Sequence, residues 1–192
     1  MYAGIRRARR GSYRGAMPIT TRRAVADDAA ELHDVAARTF GLACPPGTPQ
    51  SDVDAFIAQH LSASRFADYL ADGDRILLLA EDDGKPVGYA MLVSGPIADV
   101  DVRAVVTAQP SIELSKFYVL EGSHGSGTAA ALMAATMAAA AGTGAVTCWL
   151  GVNQQNVRAA RFYTKHGFEV IGTKRFLVGD QWHDDHVRAR PL

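Results

Sequence analysis

Ile112 to Phe168 reads IELSKFYVLEGSHGSGTAAALMAATMAAAAGTGAVTCWLGVNQQNVRAARFYTKHGF, and this stretch decides the fold. An apolar strand runs into a Gly-rich turn, a helix, a second strand, and a helix carrying NVRAARFYTKHGF. Alternation from Ile112 to Val119 predicts that Glu113, Ser115, Phe117 and Val119 share one face. The strand ends at Leu120-Glu121-Gly122-Ser123, and His124-Gly125-Ser126-Gly127-Thr128-Ala129 turns the chain into a helix expected over Thr128 to Ala141. Glycines at 125 and 127 let the backbone form a concave nest of N–H groups, which at a helix start suits an anionic phosphate. The turn alone also fits a plain entry into an Ala-rich helix of high propensity. A phosphate loop of the Gly-Lys-Ser/Thr type needs a lysine that does not follow here. A dinucleotide fingerprint needs a third glycine and a later acid, which Thr128-Ala129 and Gly144-Ala145 do not supply.

Outward from this stretch, Thr20 to Arg23 is expected as a short strand. Asp27-Asp28-Ala29-Ala30-Glu31 opens a helix with Leu32, Val35, Ala36 and Phe40 at helical spacing, and Gly41 to Pro49 is expected to break it. A second helix begins at Ser51, with Ser64 to Leu70 as its continuation. Ile76 to Ala80 and Val87 to Val93 flank EDDGKP, a hairpin signal. Gly95 to Pro110 is expected as a loop. Val170 to Val178 and Trp182 to Arg190 form a second hairpin turning at Gly179-Asp180. The order β-α-α-β-β-β-α-β-α-β-β is that of an α/β sandwich with a mixed sheet.

The composition sets outer limits. The 192 residues fit one domain, and 48% hydrophobic with 21% charged residues is ordinary for a globular protein. Twenty basic and twenty acidic residues cancel, giving no bias toward nucleic acid or a membrane. Only Cys44 and Cys148 are present, which excludes a disulfide framework or a Cys-built zinc site and points to a reducing cytoplasm. No apolar run approaches the roughly 20 residues that span a bilayer. Residues 1–16, MYAGIRRARRGSYRGA, carry five arginines and no apolar core, so a secretory signal is excluded. They are expected to be a disordered extension, with one folded domain over 17–192; a nucleic-acid arm is the weaker reading.

With these motifs in order, the chain resembles the GNAT superfamily of N-acetyltransferases. His124-Gly125-Ser126-Gly127-Thr128-Ala129 matches that family's acetyl-CoA loop at all but its first position. Asn156, then Phe162-Tyr163-Thr164-Lys165-His166-Gly167-Phe168, matches its downstream signature. The likeness covers roughly residues 18–192, and its layout is closest to the polyamine (spermine/spermidine) branch. The cues are IELSKFYV, WLGV, and Phe176 to Asp180 followed by Asp185.

The resemblance implies a mostly antiparallel twisted sheet, flanked by helices, whose splayed central strands hold acetyl-CoA. Backbone groups of Phe117, Tyr118 and Val119 would pair with the pantetheine arm beside Cys148 to Val152. Amides from Gly125 through Ser126, Gly127 and Thr128 to Ala129 would hold the pyrophosphate. Asn156 would bond the arm or cap the next helix. His124 stands where the family has Arg or Gln, and a neutral imidazole offers a single donor. Tyr163 is the expected acid, a phenol placed to protonate or hydrogen-bond the leaving thiolate. Glu113 is the expected base, since the acceptor amine must lose a proton before attack; the other base position used by relatives is Gly151 here. A solvated Glu113 and a merely packed Tyr163 are the alternatives.

His183-Asp184-Asp185-His186 is not read as a metal site, because on a strand its histidines point to opposite faces. His33 and His60 can line the substrate mouth. Asp52, Asp54, Asp68, Asp72 and Asp74 could attract a polycation or simply coat solvated helices. The implied activity is acetyl transfer from acetyl-CoA to a small-molecule primary amine, polyamine or otherwise, by direct attack. No metal is expected, nucleic acid and membrane are not expected partners, and the family admits a homodimer. A non-catalytic acyl-CoA-binding module and a protein N-terminal or lysine acetyltransferase are the competing readings.

Overall fold

The computed structural model describes residues 19–44, 47–123, 127–178 and 181–192. Seven strands form one sheet: β1 (Thr20–Arg23), β2 (Arg75–Asp82), β3 (Lys85–Val93), β4 (Ser111–Val119), β5 (Thr147–Asn153), β6 (Glu169–Val178) and β7 (Gln181–Pro191). Their spatial order is β1-β2-β3-β4-β5-β7-β6. Every neighbouring pair is antiparallel except β4 and β5, which run parallel. The helices are α1 (Ala29–Ala43), α2 (Gln50–His60), α3 (Ala63–Ala71), α4 (Val100–Val105), α5 (Thr128–Ala141) and α6 (Val157–Lys165). This is the mixed, mostly antiparallel α/β architecture that the sequence implies.

Strand alternation divides the core. Leu78, Ala80, Ala90 and Leu92 face Leu132 and Met133 of α5, while Leu77, Leu79, Tyr89 and Met91 face α1 to α3 through Leu32, Val35, Phe40 and Phe66. On the far half of that second face, Val102 of α4 and Val106 just after it cover Trp149 and Val187. The β2–β3 turn works because Asp83 and Gly84 take φ of 51° and 71°, the paired left-handed conformation of a two-residue hairpin. The turn expected at Gly179-Asp180 lies outside the described residues, although β6 and β7 pair up to Val178 and Gln181.

Two expectations need correction. The segment 95–110 is not all loop: it contains α4, started by Asp99, whose carboxylate accepts from the N–H groups of Asp101 and Val102. Residues 64–70 belong to a separate helix, α3, capped by the Ser62 hydroxyl accepting from Arg65 N–H. A third correction, on β4, defines the site.

Candidate active site

The register of β3 on β4 places Met91 opposite Lys116 and Leu92 opposite Leu114, so Ser115 has no counterpart. This β-bulge inverts the alternation. Before it, Ile112 and Leu114 face α5; after it, Phe117 and Val119 do. Glu113 therefore does not share a face with Phe117 and Val119, as strict alternation would demand. It lies on the opposite face, the one to which Tyr118 turns beyond the bulge. On the other side of β4, pairing to β5 is confined to Ser111–Glu113 against Thr147–Trp149. Beyond Glu113 the two parallel strands part.

Two adjoining cavities occupy the gap. One, of about 180 Å³, is lined by Phe117, Tyr118, Val119, Ala129, Asn156 and Tyr163 among others. It runs from the start of α5, where Gly127 (φ 88°) adopts a left-handed conformation closed to most side chains, toward the sheet centre. The second, of about 250 Å³, shares Phe117, Tyr118, Asn156 and Tyr163 with the first and ends among Glu113, Lys116, Lys174 and Asp185. Its opposite wall is apolar, built from Phe40, Phe56 and Leu61, with the Phe40 and Phe56 rings stacked at 4.3 Å. A slot bounded by β4 backbone and a helix N-terminus fits an extended arm ending in a phosphate. The larger chamber fits the reacting end.

Tyr163 stands where the cavities meet, and its position is heavily determined. The Asn156 side chain caps α6 by accepting from Ala159 N–H at 3.0 Å. At the other end, buried Arg188 donates to Thr164 Oγ1 (2.9 Å) and the Phe168 carbonyl (3.2 Å), and Arg190 donates to the His166 carbonyl (2.8 Å). Two arginines of β7 thus satisfy the end of α6 and the turn after it. The Tyr163 ring packs between Phe117, Phe162 and Phe168 at 5.6–6.4 Å. Burial raises its phenol above the ordinary value, so it is a neutral donor throughout the working pH range.

The floor of the chamber is charged. Burial raises the Glu113 carboxyl, although Lys174, Lys116 and Arg75 oppose this. Burial brings the Lys116 ammonium down to about 8, partly offset by Glu113. Gly151 makes room for its neighbours: a Cβ there would lie 2.5 Å from Lys174 Cε and 3.4 Å from Asp185 Oδ2. The Asp185 carboxyl is raised by burial, against the pull of Lys174 and a hydrogen bond from Asn153. Cys44 also lines the chamber, but burial raises its thiol and its Sγ–H turns to the Phe40 carbonyl at 3.5 Å. Cys148 is enclosed in the core with its thiol pushed up to about 12.

The geometry brings together Glu113, Phe117, Tyr118, Val119, Ala129, Asn156 and Tyr163 around these cavities. Gly127 and Thr128 begin α5 beside them. His124, Gly125 and Ser126 lie outside the described residues. Reading the motifs missed Lys116 and Lys174, and took Asp185 only as a family cue. The alternation in Asp185-His186-Val187-Arg188-Ala189 does carry a signal for the last: with apolar Val187 and Ala189 facing inward, Asp185 must face inward too. His183 shares that face and lines the chamber, and His186 lies on the other. His60 is at the end of α2, next to Phe56 at 4.6 Å. Of the helical acids, Asp54, Asp68 and Asp72 engage Gln50, Arg65 and Arg75 rather than the chamber. Among the described residues no helix is long and apolar enough to cross a membrane.

Fold and site together define an acyltransferase of the splayed-strand class. Residues 31–168 match the model of the acetyltransferase (GNAT) family, and the chain belongs to that family. It is 49% identical over 165 residues to an uncharacterized N-acetyltransferase of Mycobacterium tuberculosis, covering 86% of this chain and 98% of the relative. Among solved structures it is similar to the PaiA N-acetyltransferase of Thermoplasma acidophilum in complex with coenzyme A. That match has a TM-score of 0.72 at 19% identity, over 92% of this chain and 100% of the other. The ribosomal-protein-S18-alanine N-acetyltransferase of Escherichia coli aligns with a TM-score of 0.63 at 18% identity, over 91% and 94%. The protein is accordingly an acetyl-CoA-dependent N-acetyltransferase.

Proposed function

We propose that residues 17–192 act as one cytoplasmic acetyltransferase domain, transferring acetyl from acetyl-CoA to the primary amine of a small molecule by direct attack. The observation that carries this reading is Tyr163 standing where the arm slot opens into a chamber with carboxylates on its floor. The thioester supplies an activated acetyl carbon. Open backbone at Phe117, Tyr118 and Val119 flanks its arm, and Gly127, Thr128 and Ala129 with the preceding His124, Gly125 and Ser126 receive its phosphates. Glu113 takes one proton from the ammonium. The amine nitrogen then forms the C–N bond as the C–S bond breaks, and Tyr163 gives its proton to the departing sulfur. The second amine proton returns to the phenolate through solvent, leaving an amide, a thiol and one released proton. The sulfur leaves inside the same buried slot, so desolvation raises its proton affinity along with that of the phenol. The raised thiol of Cys44 supports a route without an acyl-enzyme.

The charge of the chamber bears on the acceptor. Glu113 and Asp185 are matched by Lys116 and Lys174, and the facing wall is aromatic. That balance favours a monoamine with an apolar body over the polycation of the polyamine branch. The test is thiol release from acetyl-CoA with spermidine, 2-phenylethylamine, a lysine peptide and an alanine-starting peptide. Release with a small amine and an N-acetylated product supports the reading. Tight acetyl-CoA binding with no release on any amine would favour a sensing module instead.

A further inference from the structure

Gly151 leaves one position of β5 without a side chain, and the neighbouring strands fill it. From β6, Lys174 sends its Cε and Nζ to within 2.5 and 3.2 Å of the point a Cβ would occupy; from β7, Asp185 Oδ2 comes within 3.4 Å. Asp185 pairs in register with Asn153 and Lys174, so all three sit in one row across β5, β7 and β6. The Asp185 side chain is 6% exposed as a residue and lines the larger cavity. Its two oxygens differ. Oδ2 turns toward the slot shared with Lys174, whereas Oδ1 is buried and receives no hydrogen bond from any described residue. An unpartnered carboxylate oxygen in a low-dielectric chamber carries a desolvation cost that a cationic donor would relieve.

We propose that Asp185 Oδ1 is the anchor for the ammonium group of the acceptor, a specificity-determining position on β7 that stands in for the side chain missing at Gly151. The inference rests on the amine-acetyltransferase reading and deepens it. Asp185 holds the charged amine, and Glu113, on the same sheet face across the opened strands, takes its proton. The groups facing Asp185 are Lys174 on β6, Asn153 on β5, and His183 and Asp184 on its own strand. Lys174 is the only ammonium among them. It competes for the carboxylate, so its removal must strengthen the site, the reverse of what a purely structural pair would do.

The probe is 2-phenylethylamine, titrated calorimetrically into protein loaded with coenzyme A. Asp185→Asn is expected to weaken binding about ten-fold or more. Lys174→Met, which keeps the volume in the Gly151 slot, is expected to tighten it several-fold, and Asp185→Glu to restore part of the loss. Coenzyme A affinity and melting temperature report folding in each variant. No binding to wild type, wild-type affinity in Asp185→Asn, or weakening by Lys174→Met would each overturn the assignment. If Asp185→Asn fails to fold, the sign of the Lys174→Met effect decides. Thiol release on amines that persists without this dependence sinks the anchor alone; binding with this dependence but no release on any amine sinks the enzymatic reading and leaves the ammonium site.

Discussion

Gly88→Ala probes the wall of the arm slot from behind. Gly88 pairs with Val119 across β3 and β4, and a Cβ there would lie 2.9 Å from the Tyr118 carbonyl oxygen and 3.0 Å from Val119 Cγ2. The nearer contact is backbone, so no side chain can swing away. Restoring an ordinary separation of about 3.4 Å moves the 118–119 backbone by roughly 0.5 Å. Overpacking of this kind costs about 1–3 kcal/mol, or roughly 2–4 °C of Tm per kcal/mol in a domain of this size. In the proposed function the displaced backbone flanks the pantetheine arm. A misplacement near 1 Å costs about 10²-fold, so half of it predicts about a ten-fold loss in kcat/KM for acetyl-CoA. Steady-state kinetics with a thermal melt read both effects. A variant with lowered Tm and unchanged acetyl-CoA kinetics would refute the slot as drawn, since the strand would have moved without the substrate noticing.

Other consequences follow from the charges. With Glu113 as base, kcat/KM rises with pH as its raised carboxyl ionises, with the acidic limb above the ordinary carboxylate range; Glu113→Gln should cut the rate by about 10²-fold or more and flatten that limb in a pH profile. Asp28 accepts from Arg22 at 2.6 and 2.8 Å and from Val25 N–H at 2.7 Å, and Arg22 holds its carboxyl below the ordinary value. A depressed carboxyl stabilises the fold above its unfolded pKa and loses that contribution as pH falls through the folded one. Asp28→Asn should therefore cost about 1–2 kcal/mol near neutral pH, discounted because Arg22 is partly solvated, with the gap to wild type closing in acid melts.

Much of this fold was legible because local chemistry decides it. The run Asp82-Asp83-Gly84 contains residues that tolerate positive φ, and the hairpin forms there. Thr20–Arg23 and Thr128–Ala141 fall where alternation and small-residue helix propensity place them. The face of Glu113 was not legible. The bulge at Ser115 arises from a register mismatch with β3, a non-local property, and a single unmatched residue inverts every side chain beyond it. Helix α4 escaped notice because Val100–Val105 is too short for a periodic signal, and its contacts with Trp149 and Val187 come from distant strands. Motif reading singled out Tyr163 and Asn156, but it passed over Lys174 and took Asp185 only as a family cue. Those two converge only because β6 and β7 lie beside Gly151 in the folded sheet.

The most direct measurement is acetyl-CoA turnover with the amine that supports the fastest thiol release, comparing wild type with Tyr163→Phe. The substitution removes only the hydroxyl and keeps the ring against Phe117, Phe162 and Phe168, so Tm and acetyl-CoA affinity should hold. The account predicts a fall in kcat of about 10²-fold or more. Wild-type kcat in Tyr163→Phe would contradict it, leaving the phenol as packing and placing the proton for the departing sulfur elsewhere.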